Sequence, residues 1–532
     1  MNKTKIASLA AVAVLTAAGA ANAAVIGFNA FGASAQFDFW NNAGQAYLVN
    51  KLGCVITAAK TGKSGNYETI YGANCATPPA PIAAGSDIVI RYASKASYSG
   101  IWALENKADT TDTPNVPTAV FTAYVAPATD ATKTCQDPAN GTLGNNYRWF
   151  GQEGSLATGM CLPVNVAASD VEAAAFQQLS FGLKIGPMDT SGNDITRDFT
   201  AKGAVSITSP NNLSFKNPII VPFGFYVNKA VAYNKCTTAS PNAGLLCYQN
   251  SDCGTGGVCS PTTDGNPMDS NCSNANTIDN LTREQALCIF SGTCTNWSNF
   301  GGYYAAQPIV ACLRHAGSGT HATLDLEVLH TNWGANIVNS EQQPADDYGV
   351  GEYQDPSKFA LNGNTGVDNV VWFNDATGDE LNCIKGAAAA GVWGASNGTG
   401  LNLVHSQSCI GAVGYADADK ACAGGTAANV APVKYNGNFP SREAIRNGRY
   451  EFFTDEWMYW NPSGDANIAA ITPDFDNWIN PTVWVSPDRI TQYVAAVNAC
   501  RATYWATRGE MVFNRTSTNA PAVKVGSPKL TP

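Results

Sequence analysis

The chain has 532 residues and a formal net charge of −10, and only 14% of its residues are charged. A length of this order favours two or more domains. A weakly charged, acidic chain without basic clusters is untypical of proteins that bind nucleic acid or membrane surfaces, so we expect neither kind of partner.

The first 23 residues have the pattern of a secretory signal peptide. Lys3 and Lys5 precede an apolar run from Ile6 to about Ala20, and the small residues Ala21-Asn22-Ala23 follow. This run is too short to span a membrane, and no later stretch is long and apolar enough. We therefore expect a mature protein that is periplasmic or extracellular and not embedded in a membrane.

All sixteen cysteines follow this segment. An even number of cysteines in an exported chain indicates disulfide bonds, which in a chain of this length would hold loops in place. Two candidate pairs flank polar stretches: Cys54 with Cys75, and Cys135 with Cys161. The six-residue spacing of Cys247, Cys253 and Cys259 lacks the His or acid pattern of a metal site, so we expect no metal or other cofactor.

Three stretches in the first third of the chain predict a strand that ends on small polar residues. Residues 24–30 form the first strand, which turns at Gly32 into a helix. Residues 87–92 form the second, followed by a helix that opens at Ser97. Residues 162–170 form the third, which ends on Asp170. Ligands often bind where such strands end. Ordinary α/β packing explains the first stretch equally well, and a helix N-cap explains Asp170.

The clearest candidate site follows a predicted strand at residues 307–313. Arg314 comes next, then Gly317-Ser318-Gly319-Thr320 and the apolar spacing of a helix. Free N–H groups at a helix start, together with the planar donors of Arg314, suit a tetrahedral oxyanion. A strand–helix turn also prefers Gly and Ser without any ligand, so that explanation stays open.

The remaining predicted elements are separated by three polar insertions at residues 106–159, 236–275 and 331–400. The predicted elements are a strand at 218–228 that could cross between domains, a helix at 281–290 capped by Thr282 or Asn280, strands at 369–373 and 409–417, regular structure at 447–453, and a final helix at 486–505.

Six motifs resemble, in chain order, those of the phosphate-binding proteins of bacterial ABC importers. They are residues 32–37 (Gly-Ala-Ser-Ala-Gln-Phe), 97–101 (Ser-Tyr-Ser-Gly-Ile), 168–170 (Ala-Ser-Asp), 281–297, 314–320 (Arg-His-Ala-Gly-Ser-Gly-Thr) and 410–416. The motifs frame most of the mature chain, whereas the three insertions have no counterpart among them.

The resemblance implies the type II periplasmic binding protein fold, an α/β fold with two lobes and a ligand cleft between them, here with disulfide-rich insertions. It implies a first lobe at residues 24–222, a second at 223–449 and a return to the first at 450–532. It also implies phosphate as ligand and an inner-membrane ABC importer as partner. The implied ligand residues are Gln36, Phe37, Ser97 and Asp170 in the first lobe, and Arg314, Ser318, Gly319 and Thr320 in the second.

Two residues depart from the family pattern. Gln36 stands where the family usually has Thr, and Ala316 stands where it often has an acid that pairs with the arginine. Either change could alter which oxyanion is preferred. Asp170 would accept a proton from phosphate but would repel sulfate, which carries none at neutral pH.

Three classes of function follow from these patterns. The first is a non-enzymatic exported protein that binds phosphate or a similar oxyanion for import. The second is an exported or surface-associated protein that uses the same fold and binds a partner through its disulfide-rich insertions. The third, a phosphate-ester hydrolase, has little support, because the sequence has no Gly-x-Ser-x-Gly motif and His315 is merely near Ser318. We therefore expect no catalytic residues.

Overall fold

The computed structural model describes residues 24–61, 67–105, 147–152, 159–173, 212–290, 293–314, 318–329, 369–374, 377–386, 392–393, 408–422, 424–481, 499–515 and 523–524. The predicted signal peptide, the side chains of Cys135 and Cys161, and most of the predicted final helix lie outside this description. Among the described residues, no helix has the length and apolar character needed to cross a membrane.

The described strands are β1 (Val25–Ala33), β2 (Val55–Thr61), β3 (Tyr67–Ala73), β4 (Asp87–Lys95), β5 (Tyr147–Gln152), β6 (Gly159–Pro163), β7 (Val166–Ser169), β8 (Ser214–Lys216), β9 (Ile219–Asn228), β10 (Lys235–Cys236), β11 (Cys259–Ser260), β12 (Asn280–Leu281), β13 (Ile309–Arg314), β14 (Asn369–Asn374), β15 (Val392–Trp393), β16 (Ala412–Asp417), β17 (Val430–Tyr435), β18 (Phe453–Asp455), β19 (Trp457–Trp460), β20 (Ala506–Thr507), β21 (Phe513–Asn514) and β22 (Val523–Lys524). The described α-helices are α1 (Phe37–Ala46), α2 (Ser97–Leu104), α3 (Arg283–Phe290), α4 (Gly319–Glu327), α5 (Thr377–Lys385), α6 (Arg442–Arg446) and α7 (Ala466–Ile479).

Two mixed sheets organise the described residues. The first has seven strands in the order β2-β3-β4-β1-β7-β19-β8, and the second has nine, with the main order β12-β17-β9-β16-β13-β14-β15. In the first sheet β1 runs parallel to β4 and β7. In the second, β13 runs parallel to β14 and β16. Each sheet therefore has an edge at which several parallel strands end together.

Among the described residues, two short passages join the sheets directly. The chain leaves the first sheet after β8 and enters the second at β9, and it returns between β18 and β19. Further along the chain, after α7, β20 pairs with β9 of the second sheet again. The two short passages touch, because the backbone N–H of Glu456 donates to the carbonyl of Ile219, and the Asn217 side chain donates to the carbonyl of Glu456. Residues 217–219 and 455–457 are therefore adjacent places where the chain passes directly from one sheet to the other.

Helix α7 packs against the first sheet, whereas β20, further along the chain, pairs with β9 of the second. In α7, the Phe475 ring stacks on Trp40 of α1 with centroids 5.0 Å apart, and both side chains are buried. Aromatic stacking of this kind adds to the free energy gained from burying the rings.

Most predicted elements are present, with shifted ends. The strand predicted to end at residue 30 continues through Gly32 to Ala33. Thr282 is the cap of α3, because its hydroxyl accepts from the backbone N–H of Gln285 and the Gln285 side chain accepts from the N–H of Thr282.

Two other predictions were wrong in part. The region 331–400 is not irregular outside its one predicted strand, since α5 lies within it. Regular structure was predicted at residues 447–453. In the structure, α6 ends before this region and β18 begins at its last residue.

Fourteen of the sixteen cysteines form seven disulfide bonds. The predicted Cys54–Cys75 pair is confirmed. The others are Cys236–Cys253, Cys247–Cys259, Cys272–Cys409, Cys288–Cys294, Cys312–Cys383 and Cys422–Cys500. The sulfurs of Cys236, Cys247 and Cys253 lie within 4.8 Å of one another, but each belongs to a disulfide.

We predict that thiol titration of the denatured, unreduced protein will find no free cysteine. The fourteen bonded cysteines leave only Cys135 and Cys161, which the sequence predicts to pair. The same sample reduced before titration serves as the control and should yield sixteen thiols. More than two free thiols in the unreduced sample would contradict the disulfide pattern.

Candidate functional site

Three of the predicted ligand residues lie at one edge of the first sheet. Gln36 follows β1, Ser97 opens α2 directly after β4, and Asp170 follows β7. Because β1 is parallel to both β4 and β7, the chain delivers these residues to the same edge. All three side chains are buried.

Ser97 and Asp170 are joined by two hydrogen bonds. The Ser97 hydroxyl donates to Asp170 Oδ2 at 3.1 Å, and it accepts from the backbone N–H of Asp170 at 3.1 Å. The other carboxyl oxygen, Oδ1, is buried without a hydrogen-bond partner among the described residues. Asp170 therefore has a free acceptor position at the end of β7.

Arg314 ends β13 in the second sheet and is also buried. Its guanidinium donates to the carbonyl of Asn374 at 3.3 Å and to the hydroxyl of Thr377 at 3.1 Å. Its backbone N–H donates to the Tyr415 hydroxyl at 2.9 Å. Groups from β14, α5 and β16 thus fix the orientation of this arginine.

The helix that follows Arg314 begins as predicted. Ser318 is the N-cap of α4, and its hydroxyl accepts from the backbone N–H of His321 at 3.4 Å. Gly319 and Thr320 form the first turn and are buried. Residues 315–317, including His315 and Ala316, lie outside the described part of the chain.

The two sheet edges meet at Gly319. A Cβ atom added to this glycine would lie 2.2 Å from Ser97 Oγ and 2.5 Å from Asp170 Oδ2. No side chain larger than hydrogen fits there without displacing one of these groups. The structure thus places the start of α4 directly against Ser97 and Asp170.

The electrostatic surroundings of Asp170 are mixed. Burial and the nearby Asp417 raise its pKa to about 7, against the lowering effect of Ser97, Glu456 and Arg314. The lowering by Arg314 shows that its charge acts on Asp170 from the second sheet. A carboxyl group with a pKa near neutrality can accept or donate a hydrogen bond, depending on pH.

Arg314 has an acidic neighbour that the sequence did not indicate. Glu380 of α5 is fully buried, and burial raises its pKa well above the ordinary value while Arg314 lowers it. Glu380 Oε1 also accepts from the backbone N–H of Tyr415 at 3.0 Å. Glu380 is thus an acid from a different helix on which the charge of Arg314 acts.

Gln36 and Phe37 make contacts within the first sheet. The Gln36 amide donates to the carbonyl of Ser169 at 3.1 Å and accepts from Trp40 Nε1 at 3.0 Å. The backbone N–H of Phe37 donates to the Ser34 carbonyl at 3.2 Å, and its ring packs 5.9 Å from that of Tyr92. In this arrangement Gln36 holds the end of β7 in place.

Two further buried acids at this place were missed by the sequence reasoning. Asp417 ends β16, and Glu456 lies between β18 and β19. Glu456 is fully buried, and the nearby Asp170 and Gln36 act on its pKa. Neither acid belongs to a recognisable motif. For Asp417, its position at the end of the predicted strand 409–417 was an available signal.

The comparison with family models supports the resemblance. Residues 258–480 match the model of a PBP superfamily domain. The chain resembles phosphate-binding proteins. The matched segment contains Arg314, Gly319 and Glu456, whereas Ser97 and Asp170 precede it.

Three solved structures are similar to this chain. One is a phosphate-binding protein from Stenotrophomonas maltophilia, at 14% identity and a TM-score of 0.34, covering 88% of this chain and 86% of that one. Another is an ABC-type phosphate transport receptor from Vibrio cholerae, at 12% identity and a TM-score of 0.26, covering 59% and 74%. A putative phosphate ABC transporter substrate-binding protein from Clostridium perfringens has 14% identity and a TM-score of 0.25, covering 52% and 70%.

We predict that Arg314→Ala will weaken binding of inorganic phosphate by about 2–5 kcal/mol, because a buried charge-assisted hydrogen bond is lost. Arg314→Lys should also weaken binding, since Lys lacks the planar fork. Isothermal titration calorimetry measures the affinities. Arg449→Ala removes the same charge from an exposed position and is the control. Wild-type affinity in Arg314→Ala would remove this residue from the site.

We predict that Gly319→Ala will weaken phosphate binding by about 1–3 kcal/mol, the usual cost of overpacking. The added methyl group meets Ser97 and Asp170, so it prevents the two edges from approaching. Gly378→Ala is the matched control, because Gly378 also lies in the first turn of a helix and its added Cβ meets nothing within 4 Å. Equal affinities in the two variants would show that the approach of the edges does not matter for binding.

Proposed function

We propose that this protein is a solute-binding protein that holds inorganic phosphate, or a similar tetrahedral oxyanion, between its two sheets and delivers it to an ABC importer. The observation that carries the proposal is the meeting of Ser97 and Asp170 with the start of α4, beside the buried Arg314. Backbone N–H groups at a helix start, hydroxyl groups and one guanidinium form the donor set that an oxyanion requires.

The proposed ligand residues are those that the motifs indicated. Ser97 and Asp170 would contact the anion from the first sheet, with Gln36 and Phe37 beside them. Arg314, Ser318, Gly319 and Thr320 would contact it from the second. We propose two lobes that divide at the passages, residues 217–219 and 455–457, which form the hinge and lie a few residues from the boundaries 222/223 and 449/450 that the motifs implied. The short strand β20 pairs with β9 and so belongs to the second lobe, not to the first.

Asp170 would make the site selective for a protonated oxyanion. Its Oδ1 atom is a buried acceptor without a donor among the described residues. Phosphate at neutral pH carries a proton that can fill this position, whereas sulfate would place bare negative charge against the carboxylate. An unpaired charge in a dry site costs several kcal/mol, which is enough to exclude sulfate.

The proposed role includes binding without catalysis and a location outside the cytoplasm. Among the described residues, no His-activated serine is present beside the site, and His321 Nδ1 is bonded to the Tyr415 hydroxyl at 2.7 Å. Seven disulfide bonds are typical of an oxidising compartment such as the periplasm or the extracellular space. Export through the predicted signal peptide belongs to the same proposal.

A second candidate function rests on the insertion at residues 236–275. Large apolar side chains are exposed here, among them Leu245, Leu246, Tyr248 and Val258, and the ring of Tyr303 lies 3.9 Å from that of Tyr248. Two disulfide bonds hold this surface rigid. An exported protein that binds a partner through this insertion would not need to bind an anion.

Titration of the purified protein with phosphate, arsenate and sulfate separates the two functions. The proposed oxyanion-binding protein releases or absorbs heat with phosphate and arsenate and binds sulfate far more weakly. If none of the three anions gave a measurable heat of binding, the oxyanion proposal would be overturned and the partner-binding function favoured.

We predict that the preference for phosphate over sulfate will depend on pH in the wild type and be lost in Asp170→Asn. Asp170 has a pKa of about 7, so it is a carboxylate at pH 8 and largely protonated at pH 6, where its O–H can donate to sulfate. Wild-type selectivity should therefore fall about tenfold or more between pH 8 and pH 6. The side-chain amide that Asp170→Asn introduces donates to either anion at both pH values.

Calorimetric titration of both anions at the two pH values measures this effect. If Asp170 served only as a helix cap, Asn would replace it well, and the selectivity of the variant would match the wild type. That result would remove Asp170 from the ligand set.

A further inference from the structure

Glu456 occupies an unusual position in the chain. It is the single residue between β18, which pairs with β9 in the second sheet, and β19, which pairs with β7 in the first. The backbone of Glu456 is hydrogen-bonded to the Ile219 carbonyl and to the Asn217 side chain, both in the other passage. It therefore sits where the proposed hinge meets the proposed anion site.

The register of the first sheet brings Glu456 beside Asp170. Trp457 is paired with Ser169 in an antiparallel arrangement, so the preceding residue on one strand lies next to the following residue on the other. The Thr454 hydroxyl donates to the backbone carbonyl of Asp170 and fixes this approach. Two buried carboxyl groups thus face each other, and no basic side chain bonds to Glu456 among the described residues.

Two carboxyl groups this close cannot both be ionised in a dry environment, so together they hold a proton. Burial and the charge of Asp170 raise the pKa of Glu456 well above its ordinary value. In Asp170, by contrast, Glu456 lowers the pKa. These directions place the proton on Glu456, as a donor to Asp170. Each carboxylate oxygen can accept two hydrogen bonds, so Asp170 still has lone pairs for a ligand.

We propose that Glu456 is a positioning residue of the oxyanion site, whose protonated carboxyl group donates a hydrogen bond to Asp170 and keeps it an acceptor for a protonated anion. This inference rests on the proposed function. When Glu456 loses its proton at alkaline pH, a second negative charge appears beside the anion and the affinity falls.

The other titratable groups that face Glu456 do not account for a loss of phosphate affinity at alkaline pH. Asp417 and Asp170 raise the pKa of Glu456, and the Gln36 amide lowers it. Tyr92 also faces the pair, but its hydroxyl donates to the Ala33 carbonyl, and burial and the two acids raise its pKa well above the ordinary value. Asp170 is already ionised above pH 8, since its pKa is about 7. Among these groups, Glu456 is therefore the acid that loses its proton at alkaline pH.

The test measures phosphate affinity of the full chain from pH 7 to pH 10 in the wild type and in Glu456→Gln. The amide of Gln is similar in shape, can still donate to Asp170 and cannot be deprotonated. We expect the wild-type affinity to fall about tenfold for each pH unit above the pKa of Glu456, while the affinity of Glu456→Gln changes less than about threefold. Glu443→Gln makes the same substitution at an exposed position and should follow the wild type.

Calorimetry in buffers of different ionisation enthalpy provides a second readout that needs no variant. At the pH values where the wild-type affinity falls, phosphate binding should take up a proton, because the occupied site requires protonated Glu456. Parallel pH profiles in wild type and Glu456→Gln, or binding without proton uptake, would overturn the inference and leave the proposed function intact. A wild type that binds no phosphate at any pH would overturn the proposed function itself.

Discussion

The structure depends on bringing two sheet edges, each rich in polar groups, into contact away from water. Parallel strands end together at each edge, and this supplies several side chains from distant parts of the sequence at one place. Burying these polar groups is unfavourable unless each of them forms a hydrogen bond. The Ser97 hydroxyl donates a hydrogen bond to Asp170 Oδ2. The hydroxyls of Tyr415 and Thr377 accept hydrogen bonds from N–H groups of Arg314. The atoms left over, such as Asp170 Oδ1, are where a ligand can contribute binding energy.

The charges at this contact are unequal. Four buried acids, Asp170, Asp417, Glu380 and Glu456, lie near this contact, and the charge of the buried Arg314 acts on Asp170 and Glu380 among them. A site with four ionised carboxylates would repel any anion. The directions of the pKa changes resolve this difficulty, because burial favours the neutral forms of Glu380 and Glu456. In such a place burial has two effects, since it keeps acids protonated and also strengthens every hydrogen bond to the ligand.

Local motifs made part of this site predictable. A Gly-Ser-Gly-Thr run after a strand fixes a helix start through its own backbone and cap, so Ser318 and Gly319 could be assigned from the sequence. Glu380 and Glu456 could not, because each is an isolated acid whose role comes only from pairing with a remote segment. The fold also was predictable only in part. Strands such as β9 could be predicted from their apolar runs. The strand β19 is only four residues long, and α7 contains Pro473, a residue that usually interrupts helices, so neither could be predicted.

The passages between the sheets give the proposed role of Glu456 a structural basis. Residues 217–219 and 455–457 are hydrogen-bonded to each other, so a relative movement of the sheets would change the backbone around Glu456. A carboxyl group in the middle of a strand would keep the neighbours of its own sheet during such a movement. Glu456 lies between a strand of each sheet, so its burial, and with it the raised pKa that keeps it protonated, depends on both sheets.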